Sequence, residues 1–252
     1  MPVELLMKYV PNFLLILLRM SIFVTLLPML SSRNFPAQFK VGFVLALAFI
    51  LTPVVDVDVA PAALPALVLR EVVLGVALGL VARSVFLIVE MAGQVMSIVM
   101  GLSLATVFNP ELGQSTEVSR MYGIIAVLIF LGTDAHHDMI YVLARSYEWL
   151  PTGQVSFVAV AREMVSLGSS MLSAAVKLSA PVVVVMLVSN LVLGFLYKAA
   201  PQMNVFFVGY PVFIFVGFLT ILMGIPVFVQ VSSGNFGALK DEMVRVLSLV
   251  RG

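Results

Sequence analysis

Apolar residues dominate the chain in runs that polar or helix-breaking residues repeatedly interrupt. Six apolar segments span approximately residues 12–30, 41–55, 66–89, 121–133, 178–197 and 205–229. A helix needs about 20 mainly apolar residues to cross a bilayer, so only the last two segments predict simple spans. The segments 41–55 and 121–133 are short for a crossing. A seventh apolar piece, 91–108, contains Gly, Ser and Gln94 and does not resemble a lipid-facing helix.

The segment Leu69–Pro110 combines apolar runs with charged and small residues. Its charged residues are Arg70, Glu71, Arg83 and Glu90. A charge at the centre of a bilayer costs at least about 2.5–3.5 kcal/mol, so such side chains usually face protein or water. Small residues four apart let another helix approach closely, and here they are Gly75 and Gly79, then Gly93, Ser97, Gly101 and Ala105. The pattern predicts a segment that is surrounded by protein.

Proline and glycine punctuate most of the apolar runs. The prolines in or beside these runs are Pro28, Pro36, Pro53, Pro181, Pro211 and Pro226. Proline inside a helix removes a backbone hydrogen bond and bends the axis, and lipid offers no replacement partner. These positions indicate an all-α, membrane-associated protein whose Pro/Gly-broken helices are enclosed by other protein.

Composition supports the membrane class. The 252 residues are 62% hydrophobic and 11% charged, whereas ordinary soluble domains are roughly 45–50% apolar and about 25% charged. The net charge of +1 gives no support for a nucleic-acid partner. The absence of cysteine excludes disulfides and thiol chemistry. Arg19 interrupts the first apolar run, so we expect that run to be retained rather than cleaved as a signal peptide.

The pair His136-His137, flanked by Asp134 and Asp138, is the one sequence cluster that resembles a metal or acid–base site. Adjacent helical residues point about 100° apart, whereas metal-binding histidines prefer an i, i+4 spacing on one face. The spacing therefore favours a polar turn over a metal centre. The sequence contains no Gly-rich phosphate loop, nucleophile elbow or HExxH motif, so we expect neither an enzyme nor a bound cofactor.

Arg83 and Glu90 share a helix face but are separated by a rise of about 10 Å, which is too far for a direct ion pair. Three interpretations stay open for these charges: ion pairs with another segment or subunit, a proton or ion relay, and positions outside the bilayer. Met91, Met96 and Met100 follow on the same piece. Their flexible thioethers suit either an ordinary core or a deformable seal around a passing chain.

Taken in order, the motifs resemble the FliR/SctT family of subunits from the bacterial type III protein-export gate, found in flagella and in injectisomes. The matching pieces are Leu18-Arg19-Met20, Pro28, Phe35-Pro36, Lys40-Val41-Gly42, Glu71–Gly75, Gly79, Ala92-Gly93-Gln94, Gly101-Leu102-Ser103, Asn109-Pro110, Phe130-Leu131, His136-His137, Ser146, Leu150-Pro151-x-Gly153, Ala180-Pro181, Gly194-Phe195-Leu196 and Ala200–Phe206. They cover residues 15–230, and Ala200–Phe206 is the most specific. Lys198 stands where the family commonly has arginine, and Phe213 stands where a basic residue is common. The His136-His137 pair favours a flagellar member.

The resemblance implies helical hairpins that pack with FliP-like and FliQ-like subunits into a helical hetero-oligomer. This export gate would lie in the bacterial inner membrane, at the flagellar basal body, and would contact an FlhB-like switch protein. Unfolded exported proteins would pass through its central channel. Residues 1–252 would form a single export-gate domain, with an N-terminal helical part (1–110), a C-terminal helical part (111–230) and a polar tail (231–252).

The candidate site residues form two groups under this resemblance. A plug or lining of the closed channel is expected at Met96, Met100, Gly101, Ser103 and Thr106. Packing or charge contacts between subunits are expected at Arg19, Glu71, Gly75, Gly79, Arg83, Glu90, Gly93, Ser97, Lys198, Pro201, Gln202 and Asn204. The alternative is a secondary transporter of a small solute that uses Glu71, Arg83 and Glu90 as coupling charges at mid-membrane. That class predicts an internal repeat, and the sequence shows no convincing one.

Overall fold

The structure is a computed structural model that describes residues 2–28, 36–53, 64–102, 117–150, 155–202 and 205–250. The secondary structure within these ranges is helical. Its helices are α1 (Pro2–Leu26), α2 (Ala37–Leu51), α3 (Leu64–Val99), α4 (Glu117–Gly132), α5 (Ala135–Trp149), α6 (Phe157–Ala199) and α7 (Val205–Val250). The prediction of an all-α fold is confirmed.

Four helical stretches among these ranges are long and apolar enough to cross a membrane: Tyr9–Leu26, Pro65–Val99, Phe157–Ala199 and Gly209–Leu249. The helices α4 and α5 meet at a bend of 67° and add a fifth candidate if they act as one span. Helix α2 has 15 residues and is too short to cross by itself. The number of candidate spans is therefore smaller than the six apolar segments, because α2 and α4 are each too short alone.

The last two helices are much longer than the spans expected at 178–197 and 205–229. Helix α6 has 43 residues and α7 has 46. At 1.5 Å of rise per residue they extend roughly 65 Å and 70 Å, compared with about 30 Å for the hydrocarbon core of a bilayer. Helix α6 continues through Pro181, and α7 continues through Pro211 and Pro226, so these prolines do not end the helices.

The stretch expected to be a polar tail belongs to the end of α7. Phe236, Leu239, Met243 and Val246 are buried there, at spacings of three and four residues. Such spacing places them on one face of a helix, and their burial holds the helix together despite its polar composition. Helix α5 and the first half of α6 lie within the region 134–177. In α6, the buried residues Val160 and Leu167 are seven apart and therefore lie on one face of the helix.

Helix α3 ends at a glycine in the left-handed conformation, Gly101, whose φ is +79°. The backbone N–H of Gly101 donates to the carbonyl of Ile98 and that of Leu102 to the carbonyl of Ser97, both at 3.0 Å. These two bonds form a Schellman motif, which satisfies carbonyl groups that the helix end leaves without partners. Glycine suits this position because most other side chains are strained at this φ.

The chain divides into two compact units. Unit 1 consists of Met1–Ser84, Thr133–Gly168 and Phe236–Gly252, and unit 2 consists of Val85–Gly132 and Ser169–Asn235. Each unit combines stretches that are distant in sequence, because α3, α6 and α7 each contribute residues to both. The predicted boundary at residue 110 lies outside the described residues and stays a prediction.

Candidate functional site

A buried arginine connects three helices in unit 1. Arg19 of α1 has 1% of its surface exposed. Its Nε and Nη2 atoms donate to the two carboxylate oxygens of Glu71 on α3, at 2.6 and 2.7 Å. Its Nη1 atom donates to the Ser146 hydroxyl on α5 at 2.6 Å. This bidentate contact is the geometry in which a guanidinium group binds a carboxylate best.

Aromatic and hydroxyl groups complete this cluster. The Arg19 guanidinium carbon lies 3.9 Å from the centre of the Tyr147 ring, within the range of a cation–π interaction. The Tyr147 hydroxyl donates to the Ile16 carbonyl at 3.4 Å, and the Ser146 hydroxyl donates to the Leu143 carbonyl at 2.6 Å. We call Arg19, Glu71, Ser146 and Tyr147 the arginine cluster. The charges of Arg19 and Glu71 balance, and both side chains are hydrogen-bonded within the cluster. This arrangement suits a group that holds three helices together better than it suits a proton relay.

The glycine pair in α3 explains how Glu71 reaches Arg19. A Cβ atom on Gly75 would lie 3.3 Å from the Arg19 carbonyl oxygen. A Cβ atom on Gly79 would lie 2.5 Å from Leu26 Cδ1. Glu71, Gly75 and Gly79 are each four residues apart and so lie on one face of α3. The helix that approaches this face is α1 of the same chain. Packing between subunits at Gly75 and Gly79 stays a prediction.

Unit 2 contains a second close approach, between α3 and α4. A Cβ atom on Gly93 would lie 2.5 Å from Ser119 Cα. The Ser119 hydroxyl donates to the Glu90 carbonyl at 3.1 Å. The backbones of the two helices are therefore nearly in contact, and no larger residue fits at position 93 without a backbone shift.

Methionine and glycine pack together at the end of α3, also in unit 2. Met96 and Met100 are buried. A Cβ atom on Gly217 of α7 would lie 2.5 Å from Met100 Cε, so the methionine fills the space that this glycine leaves. A Cβ atom on Gly101 would lie 3.4 Å from the Tyr210 ring. Both methionines pack inside the chain, and their channel-lining role stays a prediction.

The other candidate residues occupy varied environments. Glu90, Lys198, Pro201 and Gln202 are exposed. Arg83 and Glu90 form no ion pair with each other within the described residues, and the Arg83 Nε atom is buried there without a hydrogen bond. Ser103, Thr106 and Asn204 lie outside the described residues. The intersubunit and plug roles of all these residues stay predictions.

The histidine pair lies in the first turn of α5, in unit 1. Asp134 precedes the helix with a φ of 55°, and its carboxylate lies 3.5 Å from His137 Nδ1. The rings of His136 and His137 are 4.1 Å apart, and one ligand atom from each of the three residues falls within 4.8 Å of the others. These three residues could hold a metal ion. Asp134 and His137 are exposed, as expected for a polar helix start.

Sequence reasoning missed the chemical importance of Ser146, Tyr147 and Gly217. For Ser146 and Tyr147 the available signal was Arg19, because an arginine in an apolar helix requires partners from elsewhere in the fold. Gly217 stands between Val216 and Phe218 in a run of bulky residues. A small residue in such a run is a sign of close packing.

Large apolar side chains remain exposed along α6 and α7. On α6 they run from Phe157 to Leu196, and on α7 from Phe207 to Val231 and at Leu249. Within an 18-residue apolar stretch of each helix, only 22% of the residues of α6 and 17% of those of α7 are buried inside the chain. Patches of this extent mark surfaces that bind protein or lipid.

Comparison with known proteins assigns the family. Residues 10–239 match the model of the bacterial export proteins, family 1. The flagellar biosynthetic protein FliR of Bacillus subtilis (strain 168) is 31% identical over 252 residues, covering 95% of this chain and 96% of that protein. FliR of Pectobacterium carotovorum subsp. carotovorum is 28% identical over 96% of this chain and 94% of its own length. FliR of Escherichia coli (strain K12) is 30% identical, with 80% and 79% covered. The chain therefore belongs to family 1 of the bacterial export proteins, the family that includes FliR.

Proposed function

We propose that this protein is a channel-forming structural subunit of the flagellar type III protein-export gate. In this role it passes unfolded flagellar substrates across the bacterial inner membrane, at the basal body. Its partners are FliP-like and FliQ-like subunits, an FlhB-like switch protein and the exported proteins themselves. Its contribution is structural rather than enzymatic, because the buried charges Arg19 and Glu71 pair with each other.

The exposed apolar surface of α6 is the observation that carries the proposal. Large apolar side chains are exposed from Phe157 to Leu196. This stretch rises about 58 Å along the helix, whereas a bilayer offers hydrocarbon over about 30 Å. Lipid alone cannot cover such a length in a simple crossing. Neighbouring subunits can, and membership in a family of bacterial export proteins supports such an assembly.

The transporter alternative fits the geometry less well. Glu71 would have to bind and release a coupling ion, but both of its carboxylate oxygens accept hydrogen bonds from Arg19. Glu90 is exposed and makes no ion pair with Arg83 within the described residues. A coupling site needs charges that converge on one place, and these residues do not form one.

Co-purification tests the proposal most simply. We expect the full chain, expressed with FliP-like and FliQ-like partners, to form one complex with both, and to be unstable when it is expressed alone. Leu187→Asp should abolish the complex because it places a charge on the exposed face of α6, while the matched variant Leu187→Met should retain it. A chain that is monodisperse without partners and transports a small solute by itself would refute the gate role.

The plug can be tested separately. We expect deletion of Ser103–Thr106 to increase ion leak or to alter export, because these residues would close the channel. Substitution of Gly101 needs care, since its φ of +79° strains most side chains. Gly101→Asn tolerates that conformation and serves as the control for the turn. Unchanged leak and motility in the deletion variant would remove the plug role but leave the gate role intact.

A further inference from the structure

The start of α5 brings two imidazole rings and a carboxylate close together. One ligand atom from each of Asp134, His136 and His137 lies within 4.8 Å of the other two. Adjacent residues of a regular helix point about 100° apart, yet the ring centroids of His136 and His137 are only 4.1 Å apart. This group of three residues has no part in the arginine cluster or in the exposed surface of α6.

The backbone at Asp134 frees its carboxylate from the usual role of an N-cap residue. An N-cap aspartate normally has an extended backbone, and its side chain accepts a hydrogen bond from the second or third helical residue. The backbone of Asp134 is left-handed instead, with a φ of 55° and a ψ of 18°, and within the described residues its carboxylate makes no such capping bond. The N–H of His137 donates to the backbone carbonyl of Asp134 at 2.9 Å. The carboxylate is therefore available to the histidines.

The spacing of these ligand atoms suits a bound metal better than it suits a hydrogen bond. Hydrogen bonds from nitrogen to oxygen are about 2.7–3.2 Å long, whereas tetrahedral metal–ligand bonds of about 2.0–2.2 Å place two ligand atoms roughly 3.3–3.6 Å apart. Asp134 Oδ1 and His137 Nδ1 are 3.5 Å apart. A side-chain rotation can bring His136 to the same spacing, because its ring is partly exposed.

Each imidazole ring needs to offer only one nitrogen to the metal. The other nitrogen then keeps its contact with the protein, which fixes the orientation of the ring. The carboxylate of Asp138, one residue farther along α5, accepts a hydrogen bond from Lys240 of α7 at 3.0 Å. We therefore count two nitrogen ligands and one oxygen ligand, and Asp138 is not among them.

This set of ligands selects the class of metal. Calcium and magnesium prefer sites built from oxygen, whereas imidazole suits zinc, copper and nickel. Three protein ligands leave the fourth position of a tetrahedral zinc ion to water. The positive end of the helix dipole at the start of α5 opposes a cation, but this effect is small at an exposed helix end.

We propose that Asp134, His136 and His137 bind one zinc ion or a similar divalent transition metal, with water as the fourth ligand. The ion joins the residue before α5 to the first turn of that helix. The side chains of Asp134 and His137 are 75% and 73% exposed, so the ion enters directly from solvent. The sequence contains no other histidine and no cysteine, so the chain has no competing imidazole or thiolate site.

Zinc titration tests the site in the full-length chain, purified in detergent without a histidine tag and together with the subunits that assemble with it. Competition with a fluorescent zinc indicator gives the affinity. Loss of an outer-shell partner usually lowers metal affinity about 10–100-fold, so loss of a direct ligand in Asp134→Asn or His137→Gln should lower it at least about tenfold. Asparagine tolerates the left-handed backbone, which preserves the turn. The control Glu148→Gln removes an exposed carboxylate from the other end of α5 and should leave the affinity unchanged.

A count of bound metal completes the test. The double variant His136→Gln/His137→Gln should bind one zinc ion fewer per chain, and it should lose the visible absorption bands that Co²⁺ gives in a four-coordinate site. An equal zinc count in the double variant, or an unchanged affinity in Asp134→Asn, would overturn the proposal. An equal loss of affinity in Glu148→Gln would also overturn it, because zinc would then respond only to surface charge. These measurements count metal rather than export, so their outcome is independent of the gate role.

Discussion

Helix α3 and the helix pair α6–α7 are all strongly apolar, but they are buried very differently. Within an 18-residue apolar stretch of each helix, 61% of the residues of α3 are buried inside the chain, compared with 22% in α6 and 17% in α7. Helix α3 carries the charges that first suggested enclosure by protein, and α6 and α7 carry the runs that first suggested simple membrane spans. Apolarity alone therefore does not reveal what covers a helix.

Small residues and paired charges distinguish the two regions. Gly75, Gly79 and Gly93 let α1 and α4 approach the backbone of α3, and Glu71 is paired within the chain. Helix α6 instead presents leucine and valine side chains such as Leu187 and Leu191 to its surroundings. The first region holds the chain together, and the second is available to partners. Substitutions in the two regions should therefore act on different properties.

Loss of the arginine cluster should have the largest effect on stability. Arg19→Met leaves Glu71 as a buried charge without its partner, which typically costs about 3–5 kcal/mol. We expect a large fall in the thermal unfolding midpoint of the detergent-solubilised complex that the chain forms with its partner subunits. The double variant Arg19→Met/Glu71→Leu should recover much of this loss, because it removes both charges together. The control is Arg145→Ala, which breaks an exposed ion pair with Glu148. Equal midpoints for Arg19→Met and the control would contradict the account of α3.

A pair of glycine substitutions tests the contact between α3 and α4. Gly93→Ala places a Cβ atom 2.5 Å from Ser119 Cα, and such overpacking costs about 1–3 kcal/mol. Gly123→Ala meets nothing within 4 Å and should stabilise α4 by about 0.5–1 kcal/mol through its helix propensity. Thermal unfolding should shift in opposite directions for the two variants. If both variants shift the unfolding midpoint in the same direction, the close contact between α3 and α4 at Gly93 would be contradicted.

Two buried serines allow the effect of losing a hydrogen-bonded hydroxyl to be compared with the effect of losing a hydroxyl that has no partner within the described residues. Ser146→Ala removes the acceptor of an Arg19 hydrogen bond, and we expect a loss of about 1.5–3 kcal/mol, as for bonds to charged groups. The Ser97 hydroxyl is buried and has no hydrogen-bond partner within the described residues. Ser97→Ala should leave stability unchanged or raise it by up to about 1 kcal/mol. Denaturant titration of both variants can measure the difference, and a larger loss in Ser97→Ala would contradict the assignment.

The smallest effect should come from an exposed ion pair on the open helices. Arg245 of α7 donates to Glu163 of α6 at 2.5 Å, and about half of its side chain is exposed. Arg245→Met should therefore cost less than about 1 kcal/mol, and this cost should decrease as salt is added. Thermal unfolding at low and high ionic strength can measure it. A cost similar to that of Arg19→Met would show that solvent does not screen this pair.

Local patterns predicted the features that depend on neighbouring residues along the chain. The four-residue spacing of Gly75 and Gly79 was sufficient to predict the close approach of another helix. It could not identify α1 as that helix, because Arg19 and Glu71 are 52 residues apart and no local pattern connects them. The end of α7 is polar in composition, but the spacing of Phe236, Leu239 and Met243 is that of a buried helix face. The contact between Asp134 and His137 depends on a left-handed backbone that the sequence does not indicate.

Cysteine crosslinking along α6 would test most directly whether partner subunits cover its open surface. The chain contains no cysteine, so single cysteines at Val165 and Leu191 can carry a benzophenone label inside cells. These two exposed positions are about 39 Å apart along the helix, more than the hydrocarbon thickness of about 30 Å. The control is Met186→Cys, at a position buried within the chain. We predict adducts with another protein chain from both exposed positions and none from the control. Adducts with lipid alone at Val165 and at Leu191 would contradict the account.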